Sequence, residues 1–348
     1  MLNTRIKGPW IIGGSGRSGK TTLVNLIENS ENEIAGFPLE LLINVYDKQY
    51  IANFKKNKRH LANEYICRTR YLDVERKIKK SLLDLINSEN SKKKFLQLPN
   101  NILNSIQLID WIMSVYANEM NCESWAAFDL HPEFKFEKYS KFISNLNMLI
   151  MIRDPREVIA EIMFWRGKPK NHIRKFYHSL ISWSLSIKTT FRLMKKYPEN
   201  VDVIFFNNLV NKDKNEYKKL RTYFNISDDD IEKTFKNIYY SYNDNEGHLL
   251  PSGNSKKLLS DDELSIIETI CMPLLNQIEK NYINQRISSA NKTDRLFIEK
   301  LILFFINQNN HNSIRNLNEF IFFPKKFIKR IYTNLKKILR QIIYSSKI

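Results

Sequence analysis

The sequence predicts an α/β fold of the P-loop type: a mainly parallel sheet flanked by helices, with a helical insert and a basic amphipathic C-terminal helix. Three observations carry this. Residues 10–13, Trp-Ile-Ile-Gly, make a short apolar run that leads into a glycine-rich turn and then into Thr21–Ile27 at helical spacing. Three later apolar runs, 125–128, 148–152 and 201–206, each end in polar residues. Helical patterns over 175–195 and 215–224 alternate with the apolar runs, which favours parallel pairing.

Ligands of such sheets sit at the carboxyl ends of the strands. The glycine turn, His131 and Arg153 all follow apolar runs and are expected at those ends. The segment from 46 to 120 is long, basic and helical in pattern, and is expected to form the insert over the site. Residues 1–285 then make the α/β domain, and 286–348 a basic helical C-terminal extension.

The chain has 348 residues, 43% of them hydrophobic, enough to bury a large core. Its 55 Lys and Arg outnumber 37 Asp and Glu, for a formal charge of +18 that favours anionic partners. Lys, Asn and Ile are abundant throughout, so charge alone names no ligand. Cys67, Cys122 and Cys271 are odd in number and lack metal-ligand spacing, which argues against a disulfide framework or structural zinc. No apolar core of a signal peptide follows Met1, and no stretch is apolar for the roughly 18 residues a membrane span needs. A cytoplasmic protein, soluble or peripheral to a membrane, is expected.

Gly14-Ser15-Gly16-Arg17-Ser18-Gly19-Lys20-Thr21 satisfies the pattern G-x-x-x-x-G-K-[ST]. Glycines let the backbone curl so that its amides point inward at phosphate oxygens, and the following helix offers its positive end. Of nine glycines in the chain, Gly13, Gly14, Gly16 and Gly19 fall within seven residues, which sets this loop apart from an ordinary turn. The binding set expected here is Gly16, Arg17, Ser18, Gly19, Lys20, Thr21 and Thr22.

The same stretch resembles the 5′-phosphosulfate loop of sulfotransferases, where a Lys or Arg precedes Ser-Gly-Thr-Thr. Gly16 stands in place of that family's frequent proline, and Lys20 in place of its first threonine. Met151-Ile152-Arg153-Asp154-Pro155-Arg156 looks like the family's 3′-phosphate motif, an apolar strand running into Arg-Asp-Pro-Arg and a helix. An arginine at a strand end can fork onto a phosphate, and Pro155 suits a first helical turn. Eight residues after Arg153 the family usually has serine, whereas here Glu161 stands. His131, 22 residues before Arg153, is at a separation similar to that of the family's proton-accepting histidine.

The resemblance spans about 8–283. It implies a sulfotransferase that takes a sulfuryl group from 3′-phosphoadenosine 5′-phosphosulfate, without a metal, to a hydroxyl or amine of an unknown acceptor, with a carbohydrate or lipid among the candidates. The adenine nucleotide would lie between the loop and Arg153, with His131, Arg17 and Lys20 doing the chemistry. The full Walker pattern and Asp129 at the end of a strand also fit an ATP- and magnesium-dependent small-molecule kinase. A non-catalytic nucleotide- or membrane-binding module is the third reading.

From Lys325 to Ile348 there are eight basic residues and no acidic one, with apolar residues at helical spacing. Such a helix suits either an anionic membrane surface or packing on the domain. No recognition motif points to nucleic acid.

Overall fold

The computed structural model describes residues 8–30, 33–41, 70–73, 78–81, 102, 104–164, 172–240 and 258–284. Five parallel strands form the main sheet: β1 (Trp10–Gly13), β2 (Ile34–Glu40), β5 (Ser124–Phe128), β6 (Asn147–Ile152) and β7 (Val201–Phe205). Their order is β2-β5-β1-β6-β7, so β1 is central. Ile12 pairs with Phe128 on one side and Leu149 on the other, and Ile152 pairs with Phe205. These registers bring the carboxyl ends of all five strands to one edge.

Every residue of β1 and β6 is buried, as expected of strands covered on both faces. That is why both read in the sequence as continuous apolar runs. Helix α1 (Lys20–Glu28) lays Leu23, Val24, Leu26 and Ile27 on the sheet beside Trp10, Ile12, Leu149 and Ile204. At roughly 25 cal/mol per Å² of apolar surface, burying each such aliphatic side chain contributes about 1.5–3 kcal/mol.

Helix α2 (Ser105–Glu119) precedes β5 and is capped by Asn104, whose side chain accepts from the amides of Ile106 and Gln107. After β5 come a single 3₁₀ turn (Pro132–Lys135) and the short α3 (Phe136–Tyr139). Helices α4 (Pro155–Phe164) and α5 (His172–Lys196) follow β6. Beyond β7 come α6 (Phe206–Val210), α7 (Lys214–Phe224), α8 (Asp228–Tyr240) and α9 (Asp261–Ile270). A capping box of Ser260 and Glu263 opens α9.

Two features differ from the sequence expectation. Strand β2 was not legible as a strand, because Gly36 and Pro38 interrupt its pattern and its register shifts between Phe37 and Glu40. Within 46–120, residues 70–73 and 78–81 pair as an antiparallel ribbon, β3 (Arg70–Asp73) and β4 (Ile78–Ser81), where a helical insert was expected. Most of the rest of that segment, up to residue 103, lies outside the described residues, as does all of 286–348 with its expected basic helix.

The chain divides into two units, Met1–Met272 and Pro273–Ile348. Of the second unit the described residues, 273–284, continue the helix α10 (Met272–Asn284). Among the described residues no helix is long and apolar enough to cross a membrane.

Candidate active site

Between β1 and α1 the backbone turns through the loop at 14–19. Gly14 has φ +114°, and a Cβ there would lie 2.4 Å from the carbonyl oxygen of Met151. Gly19 has φ +99°, and a Cβ there would meet the Phe206 ring at 2.5 Å. Only glycine satisfies both the conformation and the contact at these two places. Gly16 is different: a Cβ there would have ordinary contacts with Leu130 and Ile162 at 3.8 and 4.0 Å.

Lys20 is buried and folds back over the loop, its Nζ donating to the carbonyls of Gly14 at 2.9 Å and Ser15 at 2.6 Å. Burial pulls its pKa down to about 8, against the opposing pull of Glu133, Glu40 and Asp129. Ser18 is fully buried, and its hydroxyl has no hydrogen-bond partner within the protein. A buried hydroxyl left over in a loop of this shape suits an anion's oxygen. Arg17 is half-buried with φ 67°, Thr22 is half-buried and Thr21 is exposed on the first turn of α1.

Arg153 leaves β6 directly beside this loop. Its Nη1 donates to the carbonyl of Arg17 at 3.1 Å, and its guanidinium carbon lies 4.9 Å from the centre of the Phe206 ring. Trp183 on α5 holds the Arg153 carbonyl through its indole N–H at 3.3 Å. The guanidinium is not an open cation, however. Glu157 takes Nε at 3.0 Å and Glu161 takes Nη1 at 2.6 Å, with Arg153 and Glu161 almost wholly buried. The helical spacing of α4 places both carboxylates back over the end of β6. An outside anion binding at Nε or Nη1 would compete with these carboxylates.

His131 stands at the end of β5 in the left-handed region, with φ 55° and ψ 48°, at the start of the 3₁₀ turn. Its amide lies 3.4 Å from the Gly14 carbonyl, so it adjoins the loop from the side opposite Arg153. A non-glycine residue held there costs about 1–2 kcal/mol, and such strain clusters at functional sites. Nδ1 is 2.9 Å from Glu133 Oε1, and Nε2 is 3.0 Å from Ser182 Oγ.

Behind Lys20, Asp129 and Glu40 sit at the ends of β5 and β2. Burial pushes the Asp129 carboxyl up to about 7, helped by Glu40 and opposed by the Leu130 amide, 2.8 Å from its Oδ1, and by Lys135 and Lys20. Burial likewise raises Glu40, against Lys20 and the Leu130 amide. Glu40, Glu133 and Ser182 were not identified from the sequence. Glu133 had a signal in its position two residues after His131; Ser182, 51 residues away, had none.

The fold and loop together define an α/β protein with a glycine-rich strand-to-helix loop at the carboxyl edge of a parallel sheet. No family model and no curated protein matches the chain. Two solved structures are similar to it in fold. One is the sulfotransferase domain of the Synechococcus PCC 7002 olefin synthase, 13% identical with a TM-score of 0.45, over 76% of this chain and 95% of that one. The other is the sulfotransferase STF9 of Mycobacterium avium, 10% identical with a TM-score of 0.44, over 77% of this chain and 76% of that one.

Proposed function

We propose that the protein is a sulfotransferase drawing on 3′-phosphoadenosine 5′-phosphosulfate. The observation that carries this reading is that a histidine and the glycine-rich loop share one edge of the sheet, His131 N–H facing the carbonyl of Gly14. The loop amides, Ser18 Oγ and the ammonium of Lys20 supply donors for a phosphate, and Arg17 and Lys20 balance negative charge on the leaving phosphate oxygen. The sulfur–oxygen bond to that phosphate breaks as one to the acceptor's oxygen or nitrogen forms. The acceptor's proton passes to His131 Nε2. In this reading Arg153 binds the 3′-phosphate, and Glu161 gives up its place on Nη1 when it does. The acceptor is a hydroxyl or amine compound, and specificity lies in the loops around the site.

Specific features also favour phosphoryl transfer from ATP. Lys20 and Thr21 complete the Walker pattern, and Asp129 with Glu40 offers two neighbouring carboxylates at strand ends beside the loop. Thermal unfolding separates the two readings. Stabilisation by adenosine 3′,5′-bisphosphate in the presence of a chelator supports sulfuryl transfer; stabilisation by ATP only when magnesium is present refutes it. Replacing His131 by Ala should lower turnover by at least about a hundredfold while keeping nucleotide binding. Undiminished turnover would reject its role as base.

A further inference from the structure

His131 belongs to a hydrogen-bonded chain of four side chains, to three of which the reaction outlined above gives no role. Glu133 Oε1 faces His131 Nδ1 at 2.9 Å, and Ser182 Oγ faces Nε2 at 3.0 Å. Ser186 Oγ donates to the same oxygen of Glu133 at 2.5 Å. Ser182 and Ser186 lie one turn apart on α5, so a single helical face supplies both hydroxyls. Pro132, buried and first in the 3₁₀ turn, fixes the short step from His131 to Glu133.

The Glu133 side chain is wholly buried. Burial alone would raise its carboxyl, but the attraction of a protonated His131 and hydrogen bonds from His131 and Ser186 outweigh it and hold the group below the usual carboxylate range; the hydrogen bonds remain when the imidazole is neutral. A carboxylate only accepts hydrogen bonds, so the Nδ1 facing it carries a hydrogen. In the neutral imidazole the lone pair is then on Nε2, and the Ser182 hydroxyl donates into it.

A serine, a histidine and a carboxylate in line are also the groups that activate a nucleophilic serine. Ser182 lies in the middle of the 25-residue helix α5, however, where backbone amides are committed to the helical ladder and cannot stabilise an oxyanion. The hydroxyl instead marks the direction from which a hydroxyl meets the basic nitrogen.

We propose that Glu133, held by Ser186, is the positioning residue that fixes His131 as the Nδ1–H tautomer, leaving its lone pair on Nε2, where an acceptor's hydroxyl takes the place that Ser182 holds here. This rests on His131 being the acceptor's base.

The test is a long-range proton–nitrogen correlation spectrum of the imidazoles in the full ¹⁵N-labelled chain at pH 8, with His131 assigned by its loss in His131→Ala. Turnover is read in parallel as inorganic sulfate released from 3′-phosphoadenosine 5′-phosphosulfate to water. The wild type should show His131 as Nδ1–H alone. In Glu133→Gln the Nε2–H form should appear and sulfate release should fall by about 10- to 100-fold, because an amide can donate as well as accept. Adenosine 3′,5′-bisphosphate should bind both proteins equally. Ser186→Ala, which keeps the carboxylate, should shift both readouts less and in the same direction, and serves if Glu133→Gln does not fold. An Nε2–H tautomer in the wild type, or an unchanged tautomer in both variants, overturns the proposal. Loss of turnover in His131→Ala with an unchanged tautomer in Glu133→Gln refutes this inference alone. Retained turnover in His131→Ala removes the base reading on which it stands.

Discussion

Lys20 gives the most direct handle on whether the loop binds an anion. Its ammonium is buried against the carbonyls of Gly14 and Ser15, and burial brings its pKa down to about 8 from 10.5. Only the charged form can neutralise a phosphate, and a bound phosphate would in turn restore the ordinary pKa. With a pKa near 8 the charged fraction is about nine-tenths at pH 7 and about one-tenth at pH 9, so nucleotide affinity should weaken by about tenfold over that interval. Phosphate groups are already largely ionised at pH 7 and add little to this slope. Isothermal titration with adenosine 3′,5′-bisphosphate at pH 7, 8 and 9 reads the effect. Lys20→Arg, charged throughout, should bind with no such slope, and Lys20→Met should bind weakly at every pH. A wild-type affinity that is flat from pH 7 to 9 would refute the assignment of Lys20 to the anion. The same shift bears on stability in a defined direction. Between about pH 8 and 10.5 the unfolded chain holds the Lys20 proton and the folded chain does not, so this residue makes stability rise with pH there. Below pH 8 the folded protein bears the cost of a buried charge that an anion would offset.

Gly19→Ala should destabilise the protein by about 2–5 kcal/mol, from a left-handed backbone and a Cβ driven into the Phe206 ring, whereas Gly16→Ala should cost less than about 1 kcal/mol. Urea midpoints measured side by side check this, and equal midpoints would refute the loop geometry. Glu161→Ser removes the carboxylate from Arg153 Nη1 and should tighten binding of adenosine 3′,5′-bisphosphate by about tenfold or more without changing that of AMP. Equal gains for both nucleotides would show that Arg153 does not read the 3′-phosphate.

Much of the site was legible in the chain because its parts are local. The loop announces itself through four glycines between an apolar strand and a helix, and its conformation needs glycine at positions 14 and 19 whatever surrounds them. Arg153 follows an apolar run, and the i, i+4 spacing of Glu157 is visible on paper. That Glu161 closes on the same guanidinium was less apparent: eight residues on, it showed only as a departure from the family's usual serine, and the fold makes it half of a buried ion pair. Strand β2 was missed because a glycine and a proline mask a strand whose partner β5 supplies its pairing.

The amino-acid pattern by itself determined the strand, glycine-rich loop and helix of the candidate site, since these depend on φ preferences and on apolar periodicity over a few residues. Only the tertiary structure decided which groups meet at it. Arg153 reaches Arg17 across 136 residues, and Ser182 reaches His131 across 51. Those meetings follow from strand order and register, which align the carboxyl ends of β1, β5 and β6, and from α5, which packs against the 3₁₀ turn after β5 and reaches His131 and Arg153. Register is set by the packing of the whole sheet, so no short window of sequence contains it.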